Sequence, residues 1–323
     1  MNTARQAHRF KALKRKELAR KHAAGRVRTE DFALVKANRI KRQPLDVSGG
    51  GKCWNIKLPS TTEKTQPEGS KKRIFVPSDF GEVIQKLPDA CLLVGGQAVA
   101  WWAQEYCPSD KPITSCDIDF WGFADDLNRL ARALGQKPIL PHKYEMTIWV
   151  GGIPLNLKGE KTLVEFVNTV PGLDAFNPEK VSVRQWFSTG AQPKKLLVLS
   201  PVSLVLAKLY ALRAFDQTDR QDEMHLKVSL VTANRFIDQL LREAKIKQVL
   251  WNVERLIAGS QNKPYQRLEA RHGFKILSAI PIQQIREAAG GDNLPEEDRN
   301  RLRNFQKLRW PQVAGRSPFG RST

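Results

Sequence analysis

Residues 90–122 read ACLLVGGQAVAWWAQEYCPSDKPITSCDIDFWG, and the interpretation of the whole chain starts from them. An apolar run over 90–94 ends at Gly95-Gly96, and a segment of helical character follows. A buried strand, a glycine turn and a helix start form a hollow the size of a phosphate group, lined by backbone N–H groups. The stretch therefore predicts a strand–turn–helix unit suited to binding an anion.

A second apolar run in the same stretch carries two aspartates. Asp117 and Asp119 alternate with Cys116, Ile118 and Phe120, so a strand with its period of two places both carboxylates on one face. Two carboxylates so close repel each other, and a divalent cation between them removes the repulsion. The sequence predicts a metal site near the diglycine turn.

The order Val94-Gly95-Gly96, then Asp117-Ile118-Asp119-Phe120, resembles the signature of nucleotidyltransferases of the DNA polymerase β-like superfamily. The spacer, residues 97–116, is about twice as long as is usual in that family. The resemblance implies an α+β fold, a nucleotidyltransferase-fold mixed sheet with flanking helices. It also implies a third acidic residue on a neighbouring strand. Glu165 matches that position, although Asp is commoner there; a Glu on the solvent face of an edge strand is the open alternative.

A second resemblance lies further along the chain. Ser200-Pro201 predicts a helix start, Lys208 lies among apolar residues of that helix, and Arg220 and Asp222 follow. This arrangement resembles the toxin-like abortive-infection nucleotidyltransferases, in which a helix Lys and a downstream Arg-x-Asp face the nucleotide. The alternative for Lys208 is a side chain whose ammonium group reaches solvent at the helix edge. His225 alone is interpreted as a packed or exposed residue rather than a ligand.

Together these resemblances imply transfer of a nucleoside monophosphate from a nucleoside triphosphate (NTP) to an acceptor hydroxyl. Mg²⁺, or Mn²⁺ in its place, would be held by Asp117, Asp119 and Glu165. The remaining implied site residues are Gly95 and Gly96 for the phosphates, Lys208 and Arg220 for the charge of the transferred group, and Asp222 as an orienting carboxylate. RNA, and a tRNA end in particular, is the expected acceptor; a protein hydroxyl or a small molecule is also allowed. A toxin or defence protein with an antitoxin or other operon partner is one implied role.

The charge of the chain is strongly positive and uneven. The formal net charge is +20 over 323 residues, and residues 1–42 hold fourteen Lys or Arg against three acids. Concentrated positive charge favours a polyanionic partner such as RNA, whereas a solvated basic face that aids solubility is the alternative. A noncatalytic nucleic-acid-binding protein using residues 1–42 is thus the competing function. A sugar-nucleotide transferase fits less well, because it does not explain the diglycine turn or Lys208.

Cellular location is indicated by what the composition excludes. No apolar stretch is long enough to span a bilayer, and the charged N-terminus lacks the apolar core of a secretion signal. The four cysteines form no CxxC pair, so neither a zinc site nor a disulfide framework is indicated. We expect a cytoplasmic protein with no membrane partner.

Five segments are predicted. They are a basic helical arm (1–43), a linker (44–74), a nucleotidyltransferase α/β domain (75–200), a helical domain (201–310) and a disordered tail (311–323). Within the helical domain, apolar periodicity predicts helices near 220–243, 245–257, 264–279 and 295–309. Within the α/β domain, strand-like runs at 144–150 and 153–158 flank Gly151-Gly152, which predicts a two-residue hairpin turn.

Overall fold

The computed structural model describes residues 75–108, 112–142, 147–173, 177–188, 193–215 and 220–314. The predicted basic arm and linker lie outside these residues, as does the tail from 315 onward. The described part is α+β, with a six-stranded mixed sheet and flanking helices, and this confirms the predicted class.

The sheet has the strand order β3-β4-β2-β1-β6-β5. Central strand β1 pairs antiparallel with β2 and parallel with β6, and β2 pairs parallel with β4. Strand β1 is fully buried, as its apolar sequence predicts, whereas β2 alternates buried and half-buried residues. The strands are β1 Leu92–Val94, β2 Ile118–Trp121, β3 Trp149–Leu157, β4 Glu160–Val167, β5 Ser182–Phe187 and β6 Lys194–Leu199.

Helices cover the sheet and form a second apolar core beyond it. Three of the four helices predicted after residue 220 are present, but the one predicted over 264–279 ends at His272, because Gly273 adopts a left-handed φ of 67°, and the helix Ile282–Gly290 was not predicted. Helix α5 begins as its sequence predicts, with Ser200 as N-cap and Pro201 in the first turn. The helices are α1 Gly81–Lys86, α2 Gly95–Tyr106, α3 Ala124–Ala133, α4 Pro178–Val181, α5 Pro201–Ala214, α6 Asp222–Arg242, α7 Ile246–Gln261, α8 Lys263–His272, α9 Ile282–Gly290, α10 Glu296–Asn304 and α11 Trp310–Ala314. Helix α11 covers the first residues of the stretch expected to be disordered. No helix of the described residues has the length and apolar character needed to cross a membrane.

The predicted hairpin at Gly151-Gly152 is wrong. Strand β3 continues through both glycines, and the chain reverses at Lys158-Gly159, whose φ angles of 53° and 84° fit a tight turn between antiparallel strands. The glycines serve close packing instead, because a methyl group on Gly151, which has φ 153°, would lie 2.7 Å from the Ile139 carbonyl oxygen, and one on Gly152 would lie 2.9 Å from Leu163 Cδ1. The pairing with β4 shifts register between Trp149 and Gly151. The two glycines thus allow close packing and an irregular strand rather than a turn.

Candidate metal centre

Three carboxylates converge where strands β2 and β4 lie side by side inside the sheet. Asp119 lies on β2 and Asp117 directly precedes that strand, while Glu165 lies on β4 in register with Asp119. One oxygen from each carboxylate lies within 4.8 Å of the other two. Because β2 and β4 are parallel neighbours inside the sheet, Glu165 is not on an edge strand. The open alternative for Glu165 is therefore excluded, and the three predicted acids are brought together.

The diglycine turn lies directly against this cluster. Strand β1 ends at Val94, which is paired in register with Asp119, and helix α2 begins at Gly95. Gly95 has φ +70°, and a methyl group there would lie 1.9 Å from Asp119 Oδ2. Only glycine therefore allows this backbone to approach the carboxylate. The turn combines the first N–H groups of a 12-residue helix with the acid cluster in one small region.

Two polar residues that the sequence interpretation did not select hold the acidic strand in place. Ser115 Oγ donates a hydrogen bond to Asp117 Oδ1 at 2.8 Å, and Thr162 Oγ1 donates to the carbonyl of Cys116 at 2.7 Å. Ser115 also packs against the turn, since a methyl group on Gly96 would lie 2.7 Å from its Oγ. A hydroxyl two residues before a candidate ligand was the sequence signal available for Ser115.

The electrostatics of the cluster favour a cation. Burial raises the pKa of Asp119 well above its usual range, and the charges of Asp117 and Glu165 raise it further, while Lys208 opposes the shift. Three carboxylates at this separation disfavour full ionisation together without added positive charge. Carboxylate oxygens are the ligands that Mg²⁺ and other hard divalent cations prefer. The donor set fits a divalent cation of this kind.

Beside the acids, Lys208, Arg220 and Asp222 form a second charged group. Lys208 Nζ on α5 donates to Asp222 Oδ1 at 2.9 Å, and Arg220 Nε donates to Asp222 Oδ2. Burial alone would raise the pKa of Asp222, but the two cations outweigh it and lower the pKa to about 2. Lys208 is buried and its ammonium is paired, so the alternative of a side chain reaching solvent is not what the structure shows. The three predicted residues are in contact, and Lys208 is near enough to Asp119 to lower its pKa.

His225 is the residue that the sequence interpretation set aside. It follows Asp222 by one turn of α6, and its side chain is buried, with 5% of the residue exposed. Neither ring nitrogen has a hydrogen-bond partner among the described residues. Burial lowers the pKa of His225 to about 4, with Lys208 acting in the same direction, so the ring is neutral at pH 7. The spacing of three from Asp222 places both side chains on one face of the helix, and this was the missed signal.

No family model, curated protein or solved structure matches the chain.

Proposed function

We propose that this protein is a metal-dependent nucleotidyltransferase of the DNA polymerase β-like kind, which transfers a nucleoside monophosphate from an NTP to an acceptor hydroxyl. One observation carries the proposal: Asp117, Asp119 and Glu165 converge within 4.8 Å, with Asp119 against the Gly95 turn. An acid cluster alone occurs in many proteins. An acid cluster touching a glycine turn at a helix N-terminus combines cation and phosphate binding, which is what a metal–triphosphate complex needs.

The residues divide the work by their chemistry. Asp117, Asp119 and Glu165 would hold Mg²⁺ or Mn²⁺, which when bound polarises the phosphate and neutralises the pyrophosphate that leaves. The N–H groups at Gly95 and Gly96 would bind phosphate oxygens, as helix N-termini do.

The group formed by Lys208, Arg220 and Asp222 supplies positive charge to the site. Lys208 presents positive charge close enough to Asp119 to lower its pKa, and Asp222 holds both Lys208 and Arg220 in position through its two oxygens.

For the acceptor we propose RNA, with a tRNA end as the first candidate. The support is the excess of eleven positive charges in residues 1–42, counted from fourteen Lys or Arg and three acids. A cytoplasmic toxin or defence enzyme, neutralised by an antitoxin or other operon partner, is the corresponding cellular role.

The test is incubation of the protein with each labelled NTP, Mg²⁺ and total cellular RNA, followed by separation of RNA from protein. Label should enter the RNA with wild type and not with Asp117→Asn. Asp125→Asn is the matched control, since it removes the same charge from an exposed position at the start of α3. Equal labelling by wild type and Asp117→Asn would contradict the proposal.

The competing function, noncatalytic nucleic-acid binding, is favoured by the same charge distribution. Replacing Lys14, Arg15, Lys16 and Arg20 by Gln should weaken RNA binding under both functions. Only the enzyme would retain Mg²⁺-dependent NTP binding in that variant. Absence of NTP binding in both wild type and variant would favour the noncatalytic protein.

A further inference from the structure

The ring of His225 lies at the diglycine turn. A methyl group on Gly96 would come within 3.2 Å of His225 Cε1, the carbon between the two ring nitrogens, and within 2.7 Å of Ser115 Oγ. Helix α6, which carries His225, packs against both α2 and α5. The buried imidazole therefore packs beside the diglycine turn, at which the phosphates of the proposed nucleotide would bind.

The lack of partners for this ring is energetically notable. A buried polar group left without a hydrogen bond costs about 1–3 kcal/mol. Buried Gln97, on α2, differs because its amide nitrogen donates to the Phe75 carbonyl at 3.0 Å. Neither nitrogen of His225 has a partner of good hydrogen-bond geometry, and its looser hydrogen-bonding contact is with the backbone of Thr114, which favours the charged ring. A buried polar side chain in this condition calls for an explanation, and a ligand at the adjacent turn would supply one.

Direct metal binding does not explain His225. Among the described residues, the candidate group of metal ligands comprises Asp117, Asp119 and Glu165, without the histidine. The surroundings instead suit an anion, since Lys208, Asp222 and Arg220 all act on the ring, and two cations paired with one carboxylate leave a net positive charge beside it. A neutral imidazole carries one N–H donor, which can bind a phosphate oxygen without adding a further charge beside Lys208.

We propose that His225 contacts the bound nucleotide, donating a hydrogen bond to a phosphate oxygen of the NTP seated on the Gly95–Gly96 turn. This inference rests on the proposed function and adds a residue to it. His225 thereby acts as a binding residue that reads the triphosphate, and its effect falls on substrate affinity rather than on metal affinity.

The experiment measures binding of inorganic tripolyphosphate in the presence of Mg²⁺ by calorimetry, because this probe carries the phosphates shared by all NTPs. His225→Leu should weaken binding about ten-fold. The Tm of the ligand-free variant should stay unchanged or rise, because an apolar residue removes two unpaired buried nitrogens. His225→Gln, which keeps an N–H donor, should restore part of the affinity.

The matched control is His272→Leu. His272 Nδ1 is paired with Glu223 Oε2 at 2.8 Å, so its replacement should lower the Tm or leave it unchanged and should not alter tripolyphosphate affinity. If wild type binds and His225→Leu binds equally well, the inference is overturned while the proposed function stands. If wild type fails to bind, the proposed function itself fails. Should His225→Leu not fold, the stability expectation is contradicted and His225→Gln carries the affinity comparison with the same two outcomes.

Discussion

The pKa values of two aspartates in neighbouring parts of the site are shifted in opposite directions. Burial and the charges of Asp117 and Glu165 raise the pKa of Asp119, whereas Asp222, which is also partly shielded from water, has a pKa of about 2 because Lys208 and Arg220 pair with it. In the Lys208–Asp222–Arg220 group, the carboxylate is already paired with both cations. The acid cluster brings three carboxylates together beside Lys208, whose ammonium is already paired with Asp222, and such a cluster is suited to receive a cation.

The largest expected effect is on nucleotide transfer, and it comes from removing the Asp119 carboxylate from the acid cluster. Asp119→Asn should lower nucleotide transfer roughly 10³-fold, since an amide holds a divalent cation poorly. The same change should raise the Tm of the metal-free protein, because it removes repulsion with Asp117 and Glu165. Transfer rates and thermal unfolding of the same preparations check both directions. Unchanged transfer would remove Asp119 from the active site.

The second prediction concerns the contact between the turn and Asp119. Gly95→Ala should destabilise the protein by about 2 to 5 kcal/mol, combining the strain of a positive φ with the clash against Asp119 Oδ2. Gly135→Ala is the matched control, because Gly135 has φ +65° with nothing within 4 Å. Gly135→Ala should destabilise the protein only by the strain of the positive φ, about 1 to 2 kcal/mol. If urea unfolding showed equal losses of stability in the two variants, Gly95 would not be in close contact with Asp119.

The third prediction tests how much the pairing of Lys208 with Asp222 contributes to the stability of the protein. Lys208→Met should destabilise the protein by about 3 kcal/mol, because it breaks a buried pair and leaves Asp222 with Arg220 alone. Lys227→Met breaks an exposed pair with Glu223, 2.6 Å in length, and should change stability by about 0.5 kcal/mol or less. Urea unfolding of both variants gives the comparison, and similar losses would contradict the account of Lys208.

A smaller effect follows from the pKa of Asp222. The pKa is about 2 in the folded protein against an ordinary 3.8, so the ionised carboxylate stabilises the fold above pH 4. That contribution, on the order of 2 kcal/mol, should be lost as the pH falls from about 4 to about 2. Asp222→Asn should show a correspondingly flatter fall in stability over this window. If stability fell equally with pH in wild type and in Asp222→Asn, the two cations would not be holding Asp222 ionised.

The difference between the two groups also shows what the sequence could predict. Asp117, Asp119 and the diglycine turn lie in one continuous stretch, so period and turn chemistry were enough to place them. Glu165 needed the pairing of β2 with β4, a long-range register that no local pattern specifies. The Lys208–Asp222 contact likewise depends on the packing of α5 against α6, and it was expected only through resemblance.

The errors have the same origin. Gly151-Gly152 has the composition of a hairpin turn, yet its glycines serve close packing, above all of Gly151 against the Ile139 carbonyl, and that neighbour is twelve residues away. Strand β5 was not predicted, because half of its residues are polar and its pairing with β6 supplies its order. His225 was set aside because its burial and lack of partners are visible only in three dimensions.

The most direct test of the central claim is a Mn²⁺ titration followed by electron paramagnetic resonance, without nucleotide. Wild type should bind Mn²⁺ saturably, Mg²⁺ should compete, and Asp119→Asn should lose the binding while Asp125→Asn keeps it. Equal Mn²⁺ binding by wild type and Asp119→Asn would contradict the claim that Asp117, Asp119 and Glu165 form a metal centre.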